Sequence, residues 1–90
     1  MDAQNVQEVI DEIKATTDLL YQENMQEGYG KLSAVLHHIN DLTVDITDTE
    51  EQERFVEILK PALEAMEAQD MTLLADVLQY ELVPKLEEYL

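Results

Sequence analysis

The chain has 90 residues, no cysteine, and 21 Asp and Glu against five Lys and Arg, for a net charge of −16. That length suits one domain, 1–90, and is too short for two. The missing cysteines exclude disulfides and thiolate metal sites. The charge works against direct binding to nucleic acid or an anionic membrane surface, because both rest on Lys and Arg.

Hydrophobic residues make up 46% of the chain, enough for a real core. A domain this small still buries a modest share of its surface, so association with itself or with a partner protein is expected to help. Each half, 1–48 and 49–90, carries −8, so the charge is no acidic tail. Its alternation with apolar residues at helical spacing puts it on solvated helix faces. No run approaches the roughly 18 apolar residues of a membrane span. The N-terminal MDAQNVQEVIDEIK is acidic and periodic, unlike a signal peptide, which points to the cytoplasm.

In chain order, Asp2 is a candidate N-cap, and Val6, Val9, Ile10, Ile13, Thr17 and Leu20 recur at spacings of three and four. This predicts a first helix over about 2–24. Gly28 and Gly30 are read as bracketing a turn, with a second helix over 29–42 built on Tyr29, Leu32, Val35, Leu36 and Ile39. Thr47 with Glu50, or Thr49 with Gln52, would form a capping box for a third helix over 49–68. Its core side is Phe55, Ile58, Leu59, Ala62, Leu63 and Met66, with a kink expected at Pro61. Glu50 and Arg54 have the favourable acid-first spacing of four. Asp70 caps a fourth helix, 71–89. A faint internal similarity runs at an offset of 42 residues, laying Gly28-Tyr29 on Asp70-Met71 and Ile13 on Phe55. The expected fold is all-α, a four-helix antiparallel bundle built from two helical hairpins.

The fourth helix stands apart. On a uniform wheel Met71, Leu74, Ala75, Leu78, Leu82, Leu86 and Tyr89 form the core face. Leu73, Val77, Tyr80 and Pro84 form a second apolar stripe roughly opposite. The first three helices show no comparable second stripe. The stripe fits a central helix touching several neighbours, or an interface for a homodimer or a partner helix. Fraying beyond Pro84 is a third reading.

Signals for chemistry are sparse. His37 and His38 are adjacent and diverge on a helix, whereas metal-binding histidines on one helix sit three or four apart. They read as two exposed histidines near a helix C-terminus. Asp41, Asp45, Asp48, Glu50 and Glu51 crowd one loop, which raises calcium, but the EF-hand spacing and its glycine are absent. The pairs Glu50-Glu51 and Glu87-Glu88 read as solvated carboxylates. Ser33, the only serine, lacks a nucleophile-elbow context. No glycine-rich phosphate or dinucleotide motif is present, so no cofactor, no metal and no enzymatic activity are expected. Tyr21, Met25, Tyr29, Met66 and Met71 flank the two hairpin turns and are expected to close one end of the core, with an adaptable Met-rich binding patch as the alternative.

The closing pattern LEAMEAQDMTLLADVLQYELVPKLEEYL resembles that of small, uncharacterised acidic helical proteins of Gram-positive bacteria. It is also similar to flagellar export chaperones, which share a short polar turn followed by a long Leu-rich helix. The resemblance covers about a third of the chain and implies an acidic helical cytoplasmic protein that holds a partner's amphipathic helix. The functional expectation is therefore a non-enzymatic protein-interaction module, self-associating or chaperone-like, working through Leu73, Val77, Tyr80 and Pro84. The alternative is an acidic mimic of nucleic acid that inhibits a DNA-binding protein.

Overall fold

Four helical segments joined by two tight turns and one short loop build the structure, a computed structural model that describes residues 2–44 and 46–90. The helices are α1 (Ala3–Tyr21), α2 (Met25–Thr43), α3 (Thr49–Glu67) and a C-terminal helix in three parts. Those parts are α4 (Met71–Val77), a π turn (Leu78–Leu82) and α5 (Val83–Glu87). No described residue lies in a strand. The all-α, two-hairpin architecture expected from the sequence is the one observed.

The helix starts follow from side-chain caps. Asp2 accepts from the Gln4 amide at 2.9 Å, and Asp70 accepts from the Leu73 amide at 3.1 Å. Both satisfy amides that the first turn leaves without partners. The cap of α3 is Asp48, which accepts from the Glu50 amide at 2.9 Å, and neither Thr47 nor Thr49 fills that role. Asp precedes the first helical residue directly, so it outcompetes the threonines on either side. Arg54 approaches Glu51, at 3.8 Å, and not Glu50.

The first turn lies earlier than the glycines suggest. α1 ends at Tyr21, Glu23 takes a left-handed φ of 59°, and Asn24 caps α2 with a bond from the Glu27 amide. Gly28 and Gly30 are therefore helical. Gly28 is buried, and a Cβ there would stand 2.9 Å from Leu20 Cδ2, so the glycine lets α1 and α2 approach closely. The second turn repeats the first. In each, the amide after the left-handed residue bonds back to the carbonyl five positions earlier: Asn24 to Leu19 and Asp70 to Ala65. The left-handed residues are Glu23 and Gln69. This is the Schellman closure of a helix, followed at once by the next cap.

These landmarks correct the internal register. Asp2 with Asp48, Glu23 with Gln69, and Asn24 with Asp70 are each 46 residues apart, not 42. α1 and α3 are each 19 residues long in this frame. The two hairpins thus share one framework of caps and turns.

Their packing is not equivalent. α1 sits centrally, between α2 on one side and the C-terminal helix on the other, while α3 packs chiefly on the C-terminal helix. α2 and α3 do not pack closely on each other, although a short loop joins them. One link across that side is the Tyr29 hydroxyl, which donates to the Met66 carbonyl at 3.4 Å and places both hairpin turns at the same end. The core is Val6, Ile10, Ile13 and Leu20 of α1, Leu32, Val35 and Ile39 of α2, and Leu74, Leu78, Leu82 and Leu86 of the C-terminal helix, with Phe55 from α3.

One sequence expectation fails on α3. Only Phe55, Ala62 and Ala65 are buried; Ile58, Leu59 and Met66 are half-buried, and Leu63 is exposed. A helix with one chief neighbour buries a narrow stripe, and the two alanines permit that close approach. The helix also runs unbroken through Pro61. The donor that proline lacks would have met the carbonyl of exposed Glu57, which solvent can satisfy.

Candidate functional site

The C-terminal helix carries the surface singled out by its second stripe. Leu73 is 47% exposed and Tyr80 is 66% exposed, and Pro84 is exposed as well. Val77 is not available, being only 6% exposed. The reason is position: Val77 lies on the flank of the helix between its core face and its outer face, and the neighbouring helices close over it. The outward surface is therefore Leu73, Tyr80 and Pro84, without Val77.

A residue from another helix joins it. The Tyr21 hydroxyl at the end of α1 donates to Asp76 Oδ1 at 2.5 Å. That bond to a carboxylate, with a smaller effect of burial, pushes the Tyr21 phenol up to about 12. Tyr21 is itself partly exposed, so two tyrosines and a leucine share the outer side of α4 and its π turn. Tyr is favoured at interface hot spots because it offers a large apolar body and a polar tip.

The π turn accounts for the helix's altered face. The Val83 amide bonds to the Leu78 carbonyl, one residue further back than in an α-helix. The turn lies immediately before Pro84, whose ring would crowd the Tyr80 carbonyl in a regular helix and which has no amide to donate. Widening the helix there relieves both problems. It also rotates the last turns of the helix, so Val83, off the core face of a uniform wheel, becomes buried.

Lys85, on the core arc of that same wheel, turns toward α3. Lys85 is 6% exposed, and its Nζ lies 2.8 Å from both carboxylate oxygens of Glu51. The Tyr89 hydroxyl donates to Glu51 Oε1 at 2.5 Å, and the ammonium stands 5.7 Å from the ring centres of Phe55 and Tyr89. Hydrogen bonds from Lys85 and then Tyr89 hold the Glu51 carboxyl below its ordinary value. Burial, then the bond to Glu51, pushes the Tyr89 phenol up to about 12. A lysine in a core position is invisible to a wheel that scores only apolar residues, and Glu51 reads locally as one of two solvated carboxylates with Glu50.

The other sequence candidates are dispersed. His38 Nδ1 lies 2.8 Å from Glu12 Oε2, a contact between α1 and α2, while His37 is exposed. Spacing along α2 alone cannot point to Glu12, which lies on another helix. Asp41 and Asp48 are exposed, and Asp45 falls outside the described residues. Among the described residues, no three His, Asp or Glu side chains converge to hold a metal ion. Tyr29, Met66 and Met71 pack against the core at the turn end. No helix is long and apolar enough to cross a membrane, among the described residues.

One surface has no counterpart in the sequence reading. On α3, Val56 is 63% exposed and Leu63 is 44% exposed. With half-buried Leu59 they line a shallow groove of about 420 Å³. The signal for it is the spacing of 56, 59 and 63, which is masked because Leu59 and Leu63 also fit the core side of the helix.

The family model for a domain of unknown function, DUF8042, matches residues 3–90, and the protein belongs to that family. No match was found among curated proteins or among solved structures.

Proposed function

We propose that this protein is a non-enzymatic protein-interaction module of the cytoplasm, self-associating or chaperone-like, that works through the outer side of its C-terminal helix. The observation that carries the reading is the exposure of Leu73 and Tyr80 on the helix that otherwise supplies the largest share of the core, with Tyr21 fixed beside them through Asp76. Helix α4 is held on two sides, by α1 and by α3. A rigid mount of that kind lowers the entropy lost when a partner docks. The resemblance to flagellar export chaperones agrees with this use of an acidic helical body to hold an amphipathic helix.

Changing Leu73 and Tyr80 together to Gln tests the reading. The double variant keeps its helical content, because both side chains are exposed, and loses association measured by light scattering and by recovery of co-purifying protein. Val77→Gln is the contrasting variant and lowers the melting temperature, because it places an amide in a buried site. An unchanged mass with every partner retained in the Leu73/Tyr80 variant overturns the proposal. Association that collapses as salt rises, with no dependence on Leu73 or Tyr80, points instead to acidic mimicry of nucleic acid.

A further inference from the structure

The 46-residue register sets Val56, Leu59 and Leu63 of α3 against Ile10, Ile13 and Thr17 of α1. All three α1 residues are buried, at 1%, 0% and 2% exposure, between α2 and the C-terminal helix. Of their α3 counterparts, Val56 and Leu63 are exposed and Leu59 is half-buried against the core. The two hairpins therefore present the same face, and only one of them has a helix lying on it. An apolar stripe of this kind at spacings of three and four is matched by a helix laid along it.

We propose that the Val56–Leu59–Leu63 face of α3 is a docking groove for an amphipathic helix of a partner protein with basic residues flanking its apolar stripe. The charge of the rim decides between occupants. Lys60, Glu64 and Glu67 line the groove with the three apolar residues, and exposed Glu53 lies one turn before Val56. α3 as a whole carries six glutamates against Arg54 and Lys60. A second copy would bring the same acidic rim and another −16 of net charge to the contact. A Lys- or Arg-flanked helix meets the same apolar face with complementary charge. This groove is distinct from the Leu73–Tyr80 surface and can be tested apart from it.

The experiment titrates the full chain with two synthetic helical peptides that carry the same leucines at i, i+3, i+4 and i+7. One has lysines flanking the stripe and the other has glutamates. The lysine-flanked peptide binds the wild type, and the glutamate-flanked peptide does not. Val56→Gln with Leu63→Gln weakens the lysine-flanked peptide at least about tenfold. Glu64→Lys with Glu67→Lys, which keeps every apolar side chain, weakens it similarly and guards against misfolding of the first variant. Leu73→Gln with Tyr80→Gln leaves it unchanged. The proposal is overturned by failure of the lysine-flanked peptide to bind, by equal binding of both peptides, or by binding indifferent to Val56 and Leu63. Wild-type dimers that the Val56/Leu63 variant abolishes would also overturn it, in favour of a second copy.

Discussion

Lys85 and Glu51 form a two-pronged pair across the C-terminal helix and α3, each carboxylate oxygen 2.8 Å from the ammonium. The lysine is buried, and its only other carboxylate contact among the described residues is Glu88 at 3.5 Å. Removing one member of such a pair is worse than replacing the pair, because it strands a charge away from water. Denaturant midpoints are therefore expected to fall in the order Lys85→Met, then Glu51→Gln, then Glu51→Ala. Lys85→Met keeps the packed stem and leaves only the more exposed Glu51 unpaired. The double variant Lys85→Met/Glu51→Gln recovers stability relative to Glu51→Ala. A Lys85→Met midpoint below that of Glu51→Ala would contradict this account.

The two tied tyrosines give the protein an alkaline limit. Tyr21 and Tyr89 are raised from 10.0 to about 12 in the fold. Between those values the unfolded chain has released protons that the folded chain retains, so rising pH favours unfolding. Stability is thus intact below pH 10 and declines as pH rises toward about 12. Tyr21→Phe and Tyr89→Phe should each flatten that decline in urea midpoints. On the acid side the sign reverses for Glu51, whose carboxyl is lowered from 4.5. Its contribution is present above that value and is lost as pH falls through the folded one. The wild type's advantage over Glu51→Gln should shrink below pH 4.5, even though protonating other carboxylates relieves the general repulsion.

The glycines of α2 separate propensity from packing. Gly30 has open space where a Cβ would stand, whereas at Gly28 the Cβ would stand 2.9 Å from Cδ2 of buried Leu20, which would have to shift. Both are helical, so alanine offers each the same gain in helix propensity. Gly30→Ala should stabilise by roughly 0.5–1 kcal/mol. At Gly28 the gain is offset by displacing Leu20, and the change should be neutral or destabilising. Equal stabilisation at both sites, measured by thermal melts, would remove the close-approach role given to Gly28.

Where the fold is legible in the sequence, it is through repeated small signals. Asp2 and Asp70 cap as expected, and the apolar spacing of α1 gives its buried face apart from Thr16. Glycine misleads: Gly28 and Gly30 suggest a turn, when the true signal is Asn24 with Glu27, a cap spacing three residues apart. Of the candidate surface, Leu73, Tyr80 and Pro84 are visible on the wheel. Val77 is misplaced by it, because a wheel marks two stripes but not how far the neighbouring helices reach between them. Lys85, Glu51 and Tyr89 depend on tertiary pairing between distant segments, which no local spacing encodes. The open face of α3 is hidden in the sequence because its residues suit a core equally well; only the exposure of Val56 and Leu63 in the fold reveals it.

The paired turns carry strain that a single substitution can release. Glu23 and Gln69 hold φ near 59° and 57°, a region where a Cβ crowds the following carbonyl. Glycine is the residue this closure favours, since it has no such contact. Neither side chain is buried, so nothing in the packing requires Glu or Gln there. Glu23→Gly and Gln69→Gly should each raise stability by about 0.5–1 kcal/mol, the relief of the left-handed conformation less the added freedom of the unfolded chain. Alanine retains the Cβ and should give no such gain at either site. The paired comparison is what makes the measurement specific: equal effects of Gly and Ala would mean that the side chains, not the backbone, set the stability of the two turns.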